Sequence, residues 1–152
     1  GGTMRKRVIV ICGVLIVCII GIVVMSLLKT NEAEFNPADN VTMEIVDGTL
    51  TNTGATIVIT DLSGEDNTYG EDYRIDRLEN GKWYELEDIV DGNVGWHMIG
   101  YKINDGNELR MDVNWEWLYG PLESGKYRIV KSVSNTKRLY DGRHVAAEFT
   151  IE

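Results

Sequence analysis

Apolar and polar side chains alternate along most of the chain beyond residue 40. The longest alternation covers residues 109–119, where every second residue is apolar and the intervening ones are mostly polar. A period of two residues is typical of a β-strand with one buried face, because successive side chains point to opposite sides. We therefore expect one strand whose buried face carries Leu109, Met111, Val113, Trp115, Trp117 and Tyr119.

Shorter segments with the same alternation predict the other strands. They cover residues 41–45, 55–62, 73–79, 82–86, 127–133 and 145–151. Asn80 and Gly81 join two of them as a tight hairpin, because both residues tolerate a positive φ. No segment beyond residue 40 keeps a helical period over two turns. We therefore predict an all-β fold, an antiparallel β-sandwich of about seven or eight strands.

The first thirty residues differ from the rest of the chain. Residues 8–28 carry no charge and are rich in Ile, Val and Leu. As an α-helix this stretch would span roughly 30 Å, the thickness of the hydrocarbon core of a bilayer. We expect a transmembrane helix over residues 8–28. Residues 1–3 precede the first Met, and we set them aside as a remnant of expression.

Basic residues set the expected orientation of this helix. Residues 5–7 are all basic and precede it, whereas only Lys29 follows. Residues 1–7 should therefore be cytoplasmic, and the chain beyond the helix extracellular. The alternative is a cleaved signal peptide, but such peptides have apolar regions of about 7–15 residues, and this one is longer. We expect an uncleaved single-pass anchor in the plasma membrane, followed by a polar linker over residues 29–40.

Charge also separates the two parts of the chain. Residues 1–30 hold four basic residues and no acid, whereas the remainder holds 11 basic and 24 acidic residues, so +4 and −13 give the total of −9. Such an acidic domain would be repelled by nucleic-acid phosphates and by an anionic lipid surface. We therefore expect no nucleic-acid partner. Cys12 and Cys18 both fall within the apolar run, so we expect neither a disulfide nor a zinc site.

Leu122, Gly125 and Tyr127 form a spaced pattern after a Gly-Pro turn at residues 120–121. This pattern resembles the tyrosine corner of immunoglobulin-like sandwiches, in which a Tyr near the start of strand F bonds through its hydroxyl to the preceding backbone. We expect this role for Tyr127, with Leu122 as an apolar anchor and Gly125 permitting a tight bend.

Further motifs extend the resemblance in chain order. They are Tyr69-Gly70, Tyr73-Arg74-Ile75, residues 79–84 (Glu-Asn-Gly-Lys-Trp-Tyr), residues 117–122 (Trp-Leu-Tyr-Gly-Pro-Leu) and residues 125–131 (Gly-Lys-Tyr-Arg-Ile-Val-Lys). Together they resemble a family of bacterial immunoglobulin-like domains over residues 41–152. The resemblance implies a β-sandwich outside the cell in a secreted or membrane-anchored protein. It implies no reaction, no catalytic residue and no cofactor.

Residue types able to support chemistry are scattered. His97 and His144 lie far apart with no Cys nearby, so we expect no shared metal site. Residues 134–137 have the Ser-x-x-Lys spacing of penicillin-binding enzymes, whose mechanism needs a helix, but here they form a predicted polar loop. Residues 88–93 and 104–108 could bind calcium weakly, although we expect solvated acidic loops that keep the domain soluble. We therefore expect a protein that is not an enzyme.

The four tryptophans divide into buried and exposed candidates. Trp115 and Trp117 share the predicted buried face of the long strand, and Trp83 follows the hairpin. We expect these three to be buried. Trp96 lies in a glycine-flanked segment, and we expect it to be exposed.

Trp96 and His97, with Asp88 and Asp91 of the neighbouring acidic loop, form the candidate interaction surface. Exposed aromatic residues anchor interfaces and stack on sugars. We expect the partner to be an envelope protein or a cell-wall polymer. The alternative is a structural or sensory spacer, coupled through its membrane helix to a membrane partner.

Overall fold

The computed structural model describes residues 32–103, 106–138 and 141–152. The predicted cytoplasmic segment 1–7 and transmembrane helix 8–28 lie outside the described residues, as do Asn104 and Asp105 of one candidate calcium loop. Within the described ranges, no helix is long and apolar enough to cross a membrane.

The described chain folds into eight strands in two antiparallel sheets, which confirms the all-β prediction. The first sheet has the order β1-β2-β6, and the second has the order β3-β7-β4-β5 with β8 paired to β7. The elements are β1 (Val41–Ile45), β2 (Gly54–Asp61), β3 (Asn67–Thr68), β4 (Arg74–Glu79), β5 (Lys82–Glu85), β6 (Glu108–Asn114), α1 (Glu116–Tyr119), β7 (Gly125–Asn135) and β8 (Arg143–Ile151).

Apolar side chains from both sheets form one core. Ile57 and Ile59 of the first sheet and Ile129 of the second have no exposed surface. Trp115 is also fully buried and stacks on Phe149, with ring centroids 5.3 Å apart and ring planes at 22°. The period-two alternation therefore marks the buried faces correctly in these strands.

The β4–β5 hairpin turns at Asn80 and Gly81, as the sequence predicts. Their φ angles are 50° and 79°. Positive φ at both central residues is the conformation that matches the natural twist of a two-residue hairpin. Asn and Gly adopt it at low cost.

The long strand predicted over residues 109–119 is wrong in its second half. β6 ends at Asn114, whose side-chain Oδ1 accepts the N–H of Glu116 at 2.9 Å. This local bond turns the chain into the single helical turn α1, because Asn competes with the strand ladder for backbone donors. Trp115 stays buried, whereas Trp117 is 47% exposed instead of buried.

Residues 32–40 were expected to belong to a polar linker, but they pack along the second sheet, and we call them the N-terminal strap. The Ala33 N–H donates to the Trp83 carbonyl of β5 at 2.9 Å, and the Ala38 N–H donates to the His144 carbonyl of β8 at 2.9 Å. Phe35 lies between these points and stacks on His144. The linker prediction is therefore wrong here, because open strand edges offer the strap backbone partners that composition does not reveal.

The tyrosine corner is present at the start of β7. Tyr127 is buried, and its Oη donates to the Glu123 carbonyl at 2.8 Å. Leu122 is buried beside it. A Cβ on Gly125 would lie 3.2 Å from the Tyr127 ring, so a glycine gives the ring room to fold back. This hydrogen bond is the one that the Leu-x-x-Gly-x-Tyr pattern predicts.

Candidate binding groove

A groove of about 560 Å³ runs beside β6. One wall is aromatic and contains Tyr73, Trp96, Tyr101 and Trp117. The floor includes Leu109 and Met111, two partly buried residues of β6 that pack against the core. Polar residues also line it: Glu71, His97, Arg110, Asp112 and Asn114. Its volume is in the range of ligand-binding clefts.

Three of these aromatic residues form a continuous series of edge-to-face contacts, which we call the aromatic ladder: Tyr73, Trp96 and Trp117. The ring centroids of Tyr73 and Trp96 lie 5.1 Å apart at 65°, and those of Trp96 and Trp117 lie 5.4 Å apart at 72°. Edge-to-face packing places the positive rim of one ring against the negative face of the next. The ladder therefore holds Trp117 in place while nearly half of its surface faces solvent.

Tyr73 fixes the inner end of the ladder. Its Oη donates to the Asn114 carbonyl at the end of β6, at 2.9 Å. Burial raises the pKa of Tyr73 to about 12, and the neighbouring Tyr119 contributes to the shift. The hydroxyl consequently keeps its proton at neutral pH and remains a donor. This bond joins the segment before β4 to the opposite sheet.

A buried lysine holds the loop on which Tyr73 and Glu71 lie. Lys131 of β7 is 1% exposed, and its Nζ donates to the carbonyls of Gly70 at 2.7 Å and Asp72 at 2.8 Å. Burial lowers the pKa of Lys131 to about 8, although nearby acids favour its charged form. The loop beside the groove is therefore tied to the core by a charged group.

Tyr101 also lines the groove and is held by hydrogen bonds. Its Oη donates to Glu71 Oε1 at 3.0 Å, and this carboxylate raises the pKa of Tyr101. Backbone bonds in both directions link Tyr101 to Tyr69, at 2.8 and 2.9 Å. The long connection between β5 and β6 is thus fixed at Tyr101, where it lines the groove.

β6 pairs with β2 along one edge in antiparallel register. At one end of the pairing the Asp61 N–H donates to the Asn107 carbonyl, and at the other the Trp115 N–H donates to the Thr53 carbonyl, both at 2.9 Å. Antiparallel ladders bond through every second residue. The odd-numbered residues of β6 therefore bond to β2.

The even-numbered residues of β6 direct their backbone groups toward the other edge. No strand in the described part of the chain pairs with that edge. Arg110 and Asp112 have no backbone hydrogen-bond partner there among the described residues. Within the described ranges, the Asn114 carbonyl is the one backbone group on this edge that is occupied, by the Tyr73 hydroxyl. The groove thus borders an open strand edge over residues 108–112.

Comparison with known families identifies the domain. A family model described as bacterial Ig-like domain matches residues 37–150. The chain belongs to this family. The match confirms the resemblance found in the sequence, and the family is generally non-catalytic. A comparison with curated proteins gave no match.

In this bacterial Ig-like domain, the sequence-predicted surface is only partly brought together. Trp96 and His97 line the groove, but Asp88 and Asp91 are exposed on the preceding connection and do not line it. Trp96 is half-buried within the aromatic ladder, so the expectation of an exposed side chain is wrong. Trp117 is the exposed tryptophan of the groove instead.

Sequence reasoning missed Tyr73, Tyr101 and the open edge of β6. Tyr73 was assigned to a strand and Tyr101 to no feature, and neither lies near Trp117 in the chain. One signal was available: Asn114, two residues before Glu116, is a residue type that ends strands and opens turns. A predicted strand that ended at Asn114 would not have included Trp117 in its buried face.

Two acids elsewhere in the bacterial Ig-like domain, the buried Asp76 and the partly buried Asp61, are engaged in structural hydrogen bonds. Asp76 has no exposed surface and accepts from Nε of Arg74 at 2.9 Å and Nε of Arg128 at 2.7 Å. Asp61 accepts from Tyr69 Oη at 2.7 Å and from Ser63. Although burial favours the neutral carboxyl of Asp61, these hydrogen bonds lower its pKa. Within the described ranges, no three His, Cys, Asp or Glu residues are grouped to hold a metal.

Proposed function

We propose that this bacterial Ig-like domain is a non-catalytic binding module whose ligand surface is the groove beside β6. The observation that carries the proposal is the aromatic ladder, which holds Trp117 rigidly at the surface with 47% of the residue exposed. Large aromatic residues held in this way are typical anchors of interfaces, since they bury much area at a small entropic cost. The structural bonds that engage Asp76 and Asp61 agree with a role in binding rather than turnover.

The proposed setting is the outer face of the plasma membrane, with the domain tethered through residues 8–28. The uncharged run and the basic residues before it support this setting. The partner is then an envelope protein or a cell-wall polymer. The acidic composition of the chain beyond residue 30 argues against nucleic acid as the ligand.

Crosslinking in intact cells tests this function. Trp117→Ala should reduce the amount of crosslinked partner by about tenfold, as expected when an interface loses an aromatic anchor. Leu62→Ala is the matched control, because Leu62 is also apolar, is 65% exposed and lies outside the groove. Equal crosslinking by the wild type and both variants, at equal expression, would rule out the groove as the binding surface.

The N-terminal strap favours a second candidate, a structural or sensory spacer. Backbone bonds at Ala33 and Ala38 fasten the strap to β5 and β8, so a force on the preceding chain would reach the second sheet directly. Replacing residues 8–28 by an unrelated apolar helix distinguishes the candidates. A spacer coupled through its helix should lose function, whereas a binding module should keep crosslinking through its groove.

A further inference from the structure

The strand edges of this domain differ in whether another part of the chain covers them. The N-terminal strap covers β5 at Trp83 and β8 at His144 with backbone hydrogen bonds. The groove edge of β6 has no such cover among the described residues, and the Tyr73 hydroxyl takes only its last carbonyl. An uncovered edge offers a row of donors and acceptors that can pair with another chain.

The two faces of β6 provide a pattern for such pairing. Leu109 and Met111 point toward the core and form the floor of the groove, whereas Glu108, Arg110 and Asp112 are exposed on the outer face. Directly opposed residues of neighbouring strands lie on the same face. A strand added to β6 would therefore place apolar residues beside Leu109 and Met111 and charged residues beside Arg110 and Asp112, which also line the groove.

We propose that the ligand is an extended polypeptide segment that adds a strand to the open edge of β6, with alternate apolar side chains entering the groove against the aromatic ladder. This proposal rests on the proposed function and names the ligand class of the same surface. In such β-augmentation, main-chain hydrogen bonds supply affinity and pockets for alternate side chains supply specificity. The backbone groups of Arg110 and Asp112 would form the central bonds.

Charge further defines this segment. The acid–base–acid order of Glu108, Arg110 and Asp112 is complementary to a base–acid–base order on the added strand. The groove lining also favours a net positive ligand, because it holds the carboxylates of Glu71 and Asp112 against the single guanidinium of Arg110. The complementary pattern is Lys-Val-Glu-Val-Lys, which reads the same in both directions and so fits a parallel or an antiparallel strand.

Calorimetry on the full chain in detergent tests the proposal with defined peptides. The probe is acetyl-Thr-Val-Lys-Val-Glu-Val-Lys-Val-Thr-amide, and its control exchanges every Lys and Glu. We expect the probe to bind about tenfold more tightly than the exchanged peptide, since opposed like charges replace opposed unlike ones. Equal affinity for the two peptides, or no binding of the probe, would overturn the proposal.

Two N-methylated probes test whether the backbone carries the interaction. One is methylated at the Lys and Glu residues and the other at the central Val residues, so that each blocks the N–H groups along one side of the extended peptide. Only one side can face β6. We expect one methylated peptide to lose about tenfold in affinity relative to the other. Equal affinities would mean that side chains alone mediate binding and would overturn strand addition.

A charge exchange on the protein gives the register. Arg110→Glu should weaken binding of the probe and strengthen binding of a peptide in which Lys replaces the central Glu of the probe. Lys126→Glu, an exposed change on β7, should alter the affinity for neither of these two peptides. If Trp117→Ala reduces crosslinking in cells and binding to isolated cell-wall polymer while no peptide binds, the groove remains the binding surface but the ligand is not a polypeptide strand.

Discussion

Lys131 Nζ donates a 2.7 Å hydrogen bond to the carbonyl of Gly70 from within the core-facing side of β7. Its neighbours on that side of the strand are Ile129 and Val133, both buried. A lysine in this position loses its hydration and must be bonded to be tolerated. Here the bond ties the core to the loop that borders the groove.

This buried lysine should make stability depend on pH. Burial lowers the pKa of Lys131 to about 8 from 10.5, so between these values the unfolded chain binds more protons than the folded chain. The free energy of unfolding should therefore rise as the pH increases through this window. The slope can reach about 1.4 kcal/mol per pH unit. Urea denaturation between about pH 7 and about pH 9 measures it, because tyrosines of the unfolded chain, with a pKa near 10, begin to ionise above that range.

Lys131→Met should remove most of this slope, whatever it does to stability at a single pH. Lys126→Met is the matched control, because Lys126 lies on the same strand but is exposed. It should leave the slope unchanged. A wild-type free energy that stays constant over this pH range, or a slope that survives in Lys131→Met, would contradict the assignment.

Period-two alternation was sufficient to predict β1, β2, β7 and β8, because their buried faces follow a single local rule. Asn80-Gly81 was sufficient to predict the hairpin, because the positive φ angles that the turn requires depend only on these two residues. The groove could not be found in this way, because Tyr73, Trp96 and Trp117 come from separate parts of the chain. The burial of Lys131 could not be predicted for a related reason. A lone lysine in a strand is usually solvated, and the carbonyls that Lys131 bonds lie in a loop distant in the chain.

Tyr127→Phe should lower the free energy of unfolding by about 1 kcal/mol. The change removes the 2.8 Å hydrogen bond from Tyr127 Oη to the Glu123 carbonyl and leaves the buried ring in place. Tyr84→Phe is the control, because Tyr84 is partly buried on β5 and its hydroxyl donates no hydrogen bond within the described residues. It should change stability by less than about 0.5 kcal/mol. Equal effects in urea denaturation would mean that the corner contributes through packing alone.

The aromatic ladder should show measurable coupling between Trp96 and Trp117. Their rings pack edge to face with centroids 5.4 Å apart, and such pairs contribute about 0.5–1.5 kcal/mol beyond the area they bury. A double-mutant cycle with Trp96→Ala and Trp117→Ala, measured as free energies of unfolding, should give a coupling energy in this range. Pairing Trp96→Ala with Leu62→Ala should give additive losses, because Leu62 lies outside the groove. Additive losses in both cycles would show that Trp117 stands independently of the ladder.

Phe35→Ala should detach the N-terminal strap. The Phe35 ring stacks on His144 at 5.9 Å and lies 4.8 Å from the Arg128 guanidinium, so its loss should cost about 1 kcal/mol. Burial lowers the pKa of His144, and Arg74 adds to the shift. Uncovering the imidazole should therefore raise this pKa toward 6.5, which an NMR titration measures.

The same change should alter both stability at low pH and local exchange. In the wild type the folded chain binds fewer protons at His144 than the unfolded chain just below pH 6.5, so stability falls as the pH decreases through that region. Phe35→Ala should reduce this fall, and the amides of Ala33 and Ala38 should exchange faster because their strap bonds open more often. Leu62→Ala should leave the His144 pKa, the fall in stability at low pH and the exchange of these two amides unchanged. Unaltered exchange at Ala33 and Ala38 in Phe35→Ala would show that backbone pairing alone holds the strap.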